Sequence, residues 1–543
     1  MRPPRPRQQH WKYRLRLMAV PRIARIGSLF GVGWDQLGER LGRESLVAQV
    51  GKTARPRVVD PSDKPLDIVF LTLMGGNHKL STVEYVVGRA LLARGHRVRY
   101  VLCDQQLPAC EVKLVDQEER WDSACAKCYG FGRSLLTSAG AEIIPISGLL
   151  STNPAPSETQ ADWGEYIESS LLKHFRVGVL AAGAEATSRR RMFTEAAERS
   201  QRAGEALAQM RPDRVIMSHG HYCTWGPARQ MLVEAGIPVV TYNIGKKRDS
   251  ITLNWGISAD WWDVSEEWAR VKDQPLNDTE QAVIDDYLAS RRDHTRDMMV
   301  YNFGQEQSRE ETRRRFALDP DLPTFSLFTN VLWDAASAQR EIVFGNPVEW
   351  VMETIDWFAQ RSDRQLIVKI HPAEVVIGTK QPFRSVIAER FPSLPRNVRV
   401  IAPDEKVNSW SIAKITDLGL VHTSTVGLEL PLEGVPCVVV SDTHFRGAGF
   451  TIDINSRDEY FDLLANWDDS NTDRARISTL ATRYAYLLFE RYQVDFPFVV
   501  AGSVNDVRSL SGIREQELLD HPSMRRIIRA LETRESFMQA DGA

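Results

Sequence analysis

The feature that most narrows the fold is an alternation that runs twice along the chain. A short apolar run gives way to a break of glycine or small polar residues, and an amphipathic stretch follows. Asp67-Ile-Val-Phe-Leu-Thr-Leu73 has no strict polar alternation, so it suits a strand buried on both faces of a parallel sheet. Gly75-Gly76-Asn77-His78 breaks the run, and Ser81 with Glu84 has capping-box spacing, which predicts a helix starting there. Leu80, Val83, Val87 and Leu91 share one face of that helix, Gly95 stops it, and 98–102 is the next strand. A connection this short between parallel strands is a right-handed crossover.

The pattern returns as strand 214–218, loop 219–226, a helix over 227–235 with Pro227 in its first turn, and strand 237–242. Trp255, Trp261, Trp262 and Trp268 follow, and a charged helical stretch over 277–316 leaves the first unit. A second series reads as strand 324–329, helix 347–360, strands 366–370 and 398–401, helix 408–416, strand 418–421, helix 426–433 and strand 436–440. The expected fold is α/β, with two Rossmann-like lobes whose parallel sheets face a cleft, plus C-terminal helices. The division expected is a basic arm at 1–60, an N-terminal lobe at 61–265 with a Cys-rich insertion at 103–128, and a helical linker at 266–320. A C-terminal lobe at 321–470 follows, then helices at 471–543 that cross back onto the first lobe.

A chain of 543 residues is too long for one small core, which agrees with two lobes. The net charge of -3 makes no electrostatic case for a nucleic-acid partner. No apolar run approaches the roughly 20 residues that cross a bilayer. Arg22 and Arg25 interrupt the early apolar residues, so no signal peptide is read and a cytoplasmic location is expected. Within the first thirty residues Arg2, Arg5, Arg7, Lys12, Arg14, Arg16, Arg22 and Arg25 interleave with Trp11, Tyr13, Leu15 and Leu17. Such a segment suits peripheral contact with an anionic membrane surface, and equally a solvated or docked arm.

The chemistry concentrates in the second series. Lys369-Ile370-His371-Pro372-Ala373-Glu374 ends a buried strand at a histidine, and Pro372 turns the chain out of the sheet. Ligands of open α/β sheets bind at this carboxyl end, where an imidazole can donate to a phosphate oxygen or supply a proton to a departing phosphate. The plain alternative is a histidine closing a strand beside a turn. After strand 418–421 comes His422-Thr423-Ser424-Thr425-Val426-Gly427-Leu428-Glu429. Ser424 and Thr425 put hydroxyl donors at a helix start, and Gly427 permits close approach, although serine and threonine also cap helices routinely. Neither lobe has a GxGxxG turn at a strand-to-helix junction, which weakens a dinucleotide-dependent oxidoreductase reading.

With Thr329-Asn330-Val331-Leu332-Trp333-Asp334, Gly434, Pro436 and His444-Phe445-Arg446-Gly447-Ala448-Gly449-Phe450, these motifs make 324–455 resemble the capsular polysaccharide biosynthesis family. That family includes Kdo-transferase-like proteins of the GT-B glycosyltransferase superfamily. Similar His-Pro and Ser-Ser/Thr pairs mark bacterial sialyltransferases that use CMP-activated sugars. The resemblance implies a metal-independent GT-B transferase that moves a sugar, CMP-linked by preference, to a surface polysaccharide or glycolipid. It implies a donor site of Asn330, Lys369, His371, Glu374, Ser424, Thr425, Gly427 and Glu429, with His371 also catalytic. The acceptor would meet the N-terminal lobe at Gly75, Gly76, Asn77 and His221, with His78 or His219 as base. The acidic signature that sialyltransferases carry in their first lobe is absent. A CDP-polyol phosphotransferase, a nucleotide-sugar epimerase and a non-catalytic assembly scaffold are the alternatives.

Cys103, Cys110, Cys125 and Cys128 carry a separate signal, since four thiolates can close a tetrahedral structural zinc site. An iron–sulfur cluster needs the same ligands, and ordinary reduced cysteines are the third reading.

Overall fold

A computed structural model of the chain describes residues 56–152, 162–300, 304–334, 340–498 and 514–539. The basic segment read for membrane contact lies outside the described residues. No described helix is long and apolar enough to cross a membrane.

The first alternation builds β1 (Asp67–Thr72), β2 (Arg97–Leu102), β3 (Glu142–Pro145), β4 (Arg214–Ser218), β5 (Val239–Ile244) and β6 (Ser250–Trp255). They lie in the order β6-β5-β4-β1-β2-β3, parallel except for β6, which pairs antiparallel with β5. The second builds β7 (Thr324–Phe328), β8 (Gln365–Lys369), β9 (Val398–Ile401), β10 (Leu418–Val421), β11 (Cys437–Val439) and β12 (Ile452–Asp453). Their order is β12-β11-β10-β7-β8-β9, parallel throughout. All residues of β4, β7, β8 and β10 are buried, as expected of strands covered by helices on both faces. In both sheets the chain leaves the first strand to one side and later returns to the other. This creates a topological switch point between β1 and β4, and another between β7 and β10.

The chain then returns to the first lobe. β13 (Val494–Asp495) adds antiparallel outside β6, and the helices Glu515–Asp520 and Pro522–Thr533 pack against the helix His78–Ala93. Ile527, Leu531 and Phe537 join Phe70, Leu80 and Tyr100 in one core. Arg89–Glu515 at 2.5 Å and Arg94–Glu532 at 3.0 Å tie the same surfaces at their edge.

Local details differ from the sequence expectation for identifiable reasons. The first helix starts at His78, because the Asn77 side chain accepts from Leu80 N. Ser81 Oγ instead donates to the Gly75 carbonyl, and Glu84 is buried, accepting from Thr72 Oγ1 at 2.5 Å and the Tyr242 hydroxyl at 2.9 Å. The helix expected at 227–235 spans Tyr222–Glu234, so Pro227 lies inside it. The charged stretch at 277–316 divides into the helices Asp278–Arg292 and Arg309–Arg315, each opened by its own capping box. The sequence pattern predicts no strand at β3, β6 or β13: β3 and β13 are short strands at the two edges of the first sheet, and β6 is held by pairing with both β5 and β13.

Candidate active site

Between the two sheets lies a cleft of about 530 Å³, lined from both lobes. The second sheet delivers its switch-point loops. Asn330 follows β7 and Thr423 follows β10, and they bond reciprocally, Asn330 Nδ2 to Thr423 Oγ1 at 2.8 Å and Thr423 N to Asn330 Oδ1 at 3.3 Å. This pins the two strand ends together. His371 sits after β8, its backbone N–H donating to Thr329 Oγ1 at 3.0 Å. Its Nδ1 accepts from Ala373 N at 3.1 Å, so the ring proton resides on Nε2. Burial, then the charges of Lys369 and Lys246, push this imidazole down to about 4. It is therefore a neutral N–H donor near pH 7. Ser424 Oγ accepts from Val426 N, turning the chain into the helix Val426–Leu432.

Once internal pairs are discounted, three lysines line the whole cleft against the carboxylates of Asp260 and Asp334. Arg291 is taken up by Glu429 at 2.5 Å and Asp297 at 2.9 Å, and Arg340 by Asp442 at 2.9 Å. Among the described residues no carboxylate within 4.0 Å pairs with Lys79, Lys246 or Lys369, and all three line the cleft. Burial brings the Lys369 ammonium down to about 8, against the opposing fields of Glu405 and Glu429. A cleft lined by three lysines without a carboxylate partner, Lys369 of them buried, beside a neutral N–H donor suits an anion.

The N-terminal lobe contributes Lys79 from its first helix, Asn243 from the end of β5, Lys246 from the β5–β6 turn, and Asp260 and Trp262 after β6. Asp260 Oδ1 accepts from Asn243 Nδ2 at 2.8 Å, whereas Oδ2 is buried with no hydrogen-bond partner among the described residues. Burial raises the Asp260 carboxyl from its ordinary value, and Asp334 across the cleft adds to the rise.

Of the expected donor residues, Asn330, Lys369, His371, Ser424, Thr425 and Glu429 line the cleft. Glu374 and Gly427 do not. Glu374 is buried with both oxygens on Phe383 N, at 3.1 and 3.2 Å, where it opens the helix Phe383–Arg390. Gly427 makes room for Phe445, whose Cζ would lie 2.5 Å from an added Cβ. The expected acceptor residues also lie away from the lining. An added Cβ on Gly75 would meet Leu102 Cδ1 at 2.7 Å, and one on Gly76 would meet Cys128 Cα at 2.8 Å, so both glycines serve close packing. Asn77 caps its helix, His78 stacks on Phe131 with centroids 4.5 Å apart, and His219 stacks on Trp225 at 5.0 Å. His221 Nε2 lies 3.2 Å from Ser169 Oγ. Sequence reasoning missed Lys79, Asn243, Lys246, Asp260, Trp262 and Arg340. The signal available was position: Asn243 to Lys246 ends a strand just as His371 does.

Among the described residues no group of three or more His, Cys, Asp or Glu side chains could hold a metal ion. Cys125 and Cys128 share the helix Trp121–Ser138, where Cys128 Sγ accepts from Gly76 N at 3.1 Å. None of the four cysteines forms a disulfide among the described residues.

Burial also makes stability strongly pH-dependent. His219, His422 and His444 are pushed down to about 3, and His221 and His371 to about 4. Between about pH 4 and 6.5 the unfolded chain protonates these rings and the folded chain does not, so stability falls as pH falls through this window. Glu84 and Glu374, both raised to about 7, oppose the trend, as do Glu111, Asp260, Glu341, Glu353 and Glu490, whose carboxyls burial raises, whereas His96 and His174, which burial lowers, add to it. Unfolding in urea is expected to show stability falling from pH 7 to 5, by about 1–2 kcal/mol per pH unit. A level profile over that range would show that these rings are not buried neutral.

No family model matches the chain, and no curated protein matches it. Solved structures do. A beta Kdo 2,4 transferase, KpsC of Thermosulfurimonas dismutans, is 17% identical over 52% of this chain and 81% of its own, with a TM-score of 0.33. The glycosyltransferase SnogD from Streptomyces nogalater is 13% identical over 78% of this chain and 95% of its own, with a TM-score of 0.24. A putative UDP-N-acetylglucosamine 2-epimerase from Listeria monocytogenes is 12% identical over 89% of this chain and 98% of its own, with a TM-score of 0.29. Two parallel-dominated Rossmann-like sheets that share one cleft, with the C-terminal segment returned to the first lobe, give the chain a GT-B-like α/β fold.

Proposed function

We propose that the protein is a glycosyltransferase that takes a nucleotide-activated sugar, CMP-linked by preference, and passes the sugar to a surface-polysaccharide or lipid-linked acceptor. The observation that carries this reading is the pairing of two chemistries in one cleft. Lys369 and the Ser424 and Thr425 hydroxyls at the strand ends of the second sheet suit a phosphate, and the first lobe lines the same cleft with Asp260, one of whose carboxylate oxygens has no hydrogen-bond partner among the described residues. The preference for CMP rests on the His371-Pro372 and Ser424-Thr425 resemblance alone.

In this mechanism Lys369, the His371 Nε2–H and the Ser424 and Thr425 hydroxyls hold the donor phosphate. The acceptor hydroxyl attacks the activated carbon and passes its proton to Asp260 Oδ2. The bond from that carbon to the phosphate oxygen breaks, and the electron pair leaves on the phosphate. His371 stabilises this charge as a neutral donor, since a ring near pKa 4 carries no spare proton at pH 7. Asp260, raised by burial, is a stronger base than an exposed aspartate and keeps one oxygen uncommitted.

Thermal unfolding with CMP, CDP, UDP and GDP tests the reading. One nucleotide is expected to stabilise selectively, by about 2.7 kcal/mol at a hundredfold excess over Kd. Failure of all four to move the curve would remove the nucleotide site. The successful nucleotide should also bind more weakly as pH rises past about 8, where free Lys369 loses its proton. The slope should approach about tenfold per pH unit and flatten in Lys369→Arg, whose charge persists. An unchanged slope in that variant would show that Lys369 does not meet the phosphate.

A further inference from the structure

His444 follows β11 and lines the cleft opposite Trp262, with ring centroids 5.0 Å apart. Its tautomer follows from its neighbour. The Tyr484 hydroxyl has one proton and donates it to the His444 carbonyl oxygen. The contact of 3.0 Å between Tyr484 Oη and His444 Nδ1 therefore has the ring as donor. The proton sits on Nδ1, and Nε2 keeps a bare lone pair. That nitrogen is buried and has no hydrogen-bond partner among the described residues. His371 has the opposite tautomer in the same cleft, with its proton on Nε2.

We propose that His444 Nε2 accepts a hydrogen bond from a sugar hydroxyl of the bound nucleotide or nucleotide sugar, in a subsite that Trp262 closes from the other lobe. This rests on the reading of the cleft as a nucleotide-sugar site. The chemistry of the place excludes other partners. An anion is repelled by a lone pair. A cation is opposed by Lys246 and Arg340, whose charges reach this ring, and Lys246 Nζ lies 5.5 Å from the centre of the Trp262 ring. A neutral donor remains, and hydroxyls are what a sugar offers. The two histidines thus divide the ligand: the Nε2–H of His371 meets phosphate, and the bare Nε2 of His444 meets a hydroxyl. Tyr484 is a positioning residue that holds the His444 tautomer.

The test compares bare nucleotides with their sugar forms, namely CMP with CMP-sialic acid, UDP with UDP-glucose and GDP with GDP-mannose. Binding is measured by calorimetry in the parent, His444→Asn, His444→Gln and Tyr484→Phe. Asparagine keeps a donor near the Nδ1 position and removes the Nε2 acceptor, whereas glutamine reaches the Nε2 position with an amide oxygen. His444→Asn is expected to bind about tenfold more weakly, with partial rescue in His444→Gln. Weakening of the bare nucleotide assigns the hydroxyl to ribose. Weakening of the sugar form alone assigns it to the transferred sugar. Should His444→Asn not fold, Tyr484→Phe must lose part of the same affinity. Parent-like binding of every probe by the folded variants would overturn the subsite and leave the nucleotide reading standing. Binding of no probe by the parent would overturn both.

Discussion

The double variant His371→Ala, Ser424→Ala is expected to fold but to lose its stabilisation by nucleotide. The two side chains stand at the ends of β8 and β10, on either side of β7 in the second sheet, and both line the cleft. Their structural roles are modest: His371 Nδ1 accepts from Ala373 N, and Ser424 Oγ accepts from Val426 N. Losing these two bonds costs about 2 kcal/mol, which a domain of ordinary stability survives. Losing two charge-assisted bonds to a phosphate costs about 3–6 kcal/mol, or roughly a hundredfold to ten-thousandfold in affinity. Circular dichroism and the unliganded melting curve establish folding, and titration with the stabilising nucleotide measures the loss. A variant that responds to nucleotide as the parent does would show that the phosphate sits elsewhere.

Asp260→Asn should lower turnover about 10²–10⁴-fold while nucleotide still binds, the range expected for removal of a general base. The amide preserves shape and the contact with Asn243, since its oxygen can accept the bond that Asp260 Oδ1 now accepts at 2.8 Å. It removes only the ability to take a proton. Because Asp260 is raised by burial and by Asp334, the acid limb of the parent's pH profile should lie above the usual aspartate range. Both effects belong to kcat, so KM for the donor should hardly move. If turnover stays within threefold of the parent, the base is another group.

The sequence alone determined most of the second lobe. Strands 398–401 and 418–421 match β9 and β10 residue for residue, because each is a short, mainly apolar run that begins after a polar residue, Asn397 or Asp417. The same local grammar put His371 and Ser424 at strand ends, where such sheets bind ligands. It could not separate a strand end that faces the cleft from one that does not. His78 and His219 also follow strands, yet their rings stack on Phe131 and Trp225 inside the first lobe. Lys246 and Asp260 reach the cleft through the antiparallel pair β5 and β6, whose partnership is made by sheet pairing and not by any run of residues. Likewise β13 completes the first sheet from 239 residues beyond Trp255, the end of β6, a distance at which no local pattern acts. The tautomers of His371 and His444 were decided by partners that only packing supplies, a backbone N–H in one case and the Tyr484 hydroxyl in the other. Local runs specify which segments become strands and helices. Which side chains face one another across a cleft depends on contacts between distant segments, and only the tertiary structure makes those.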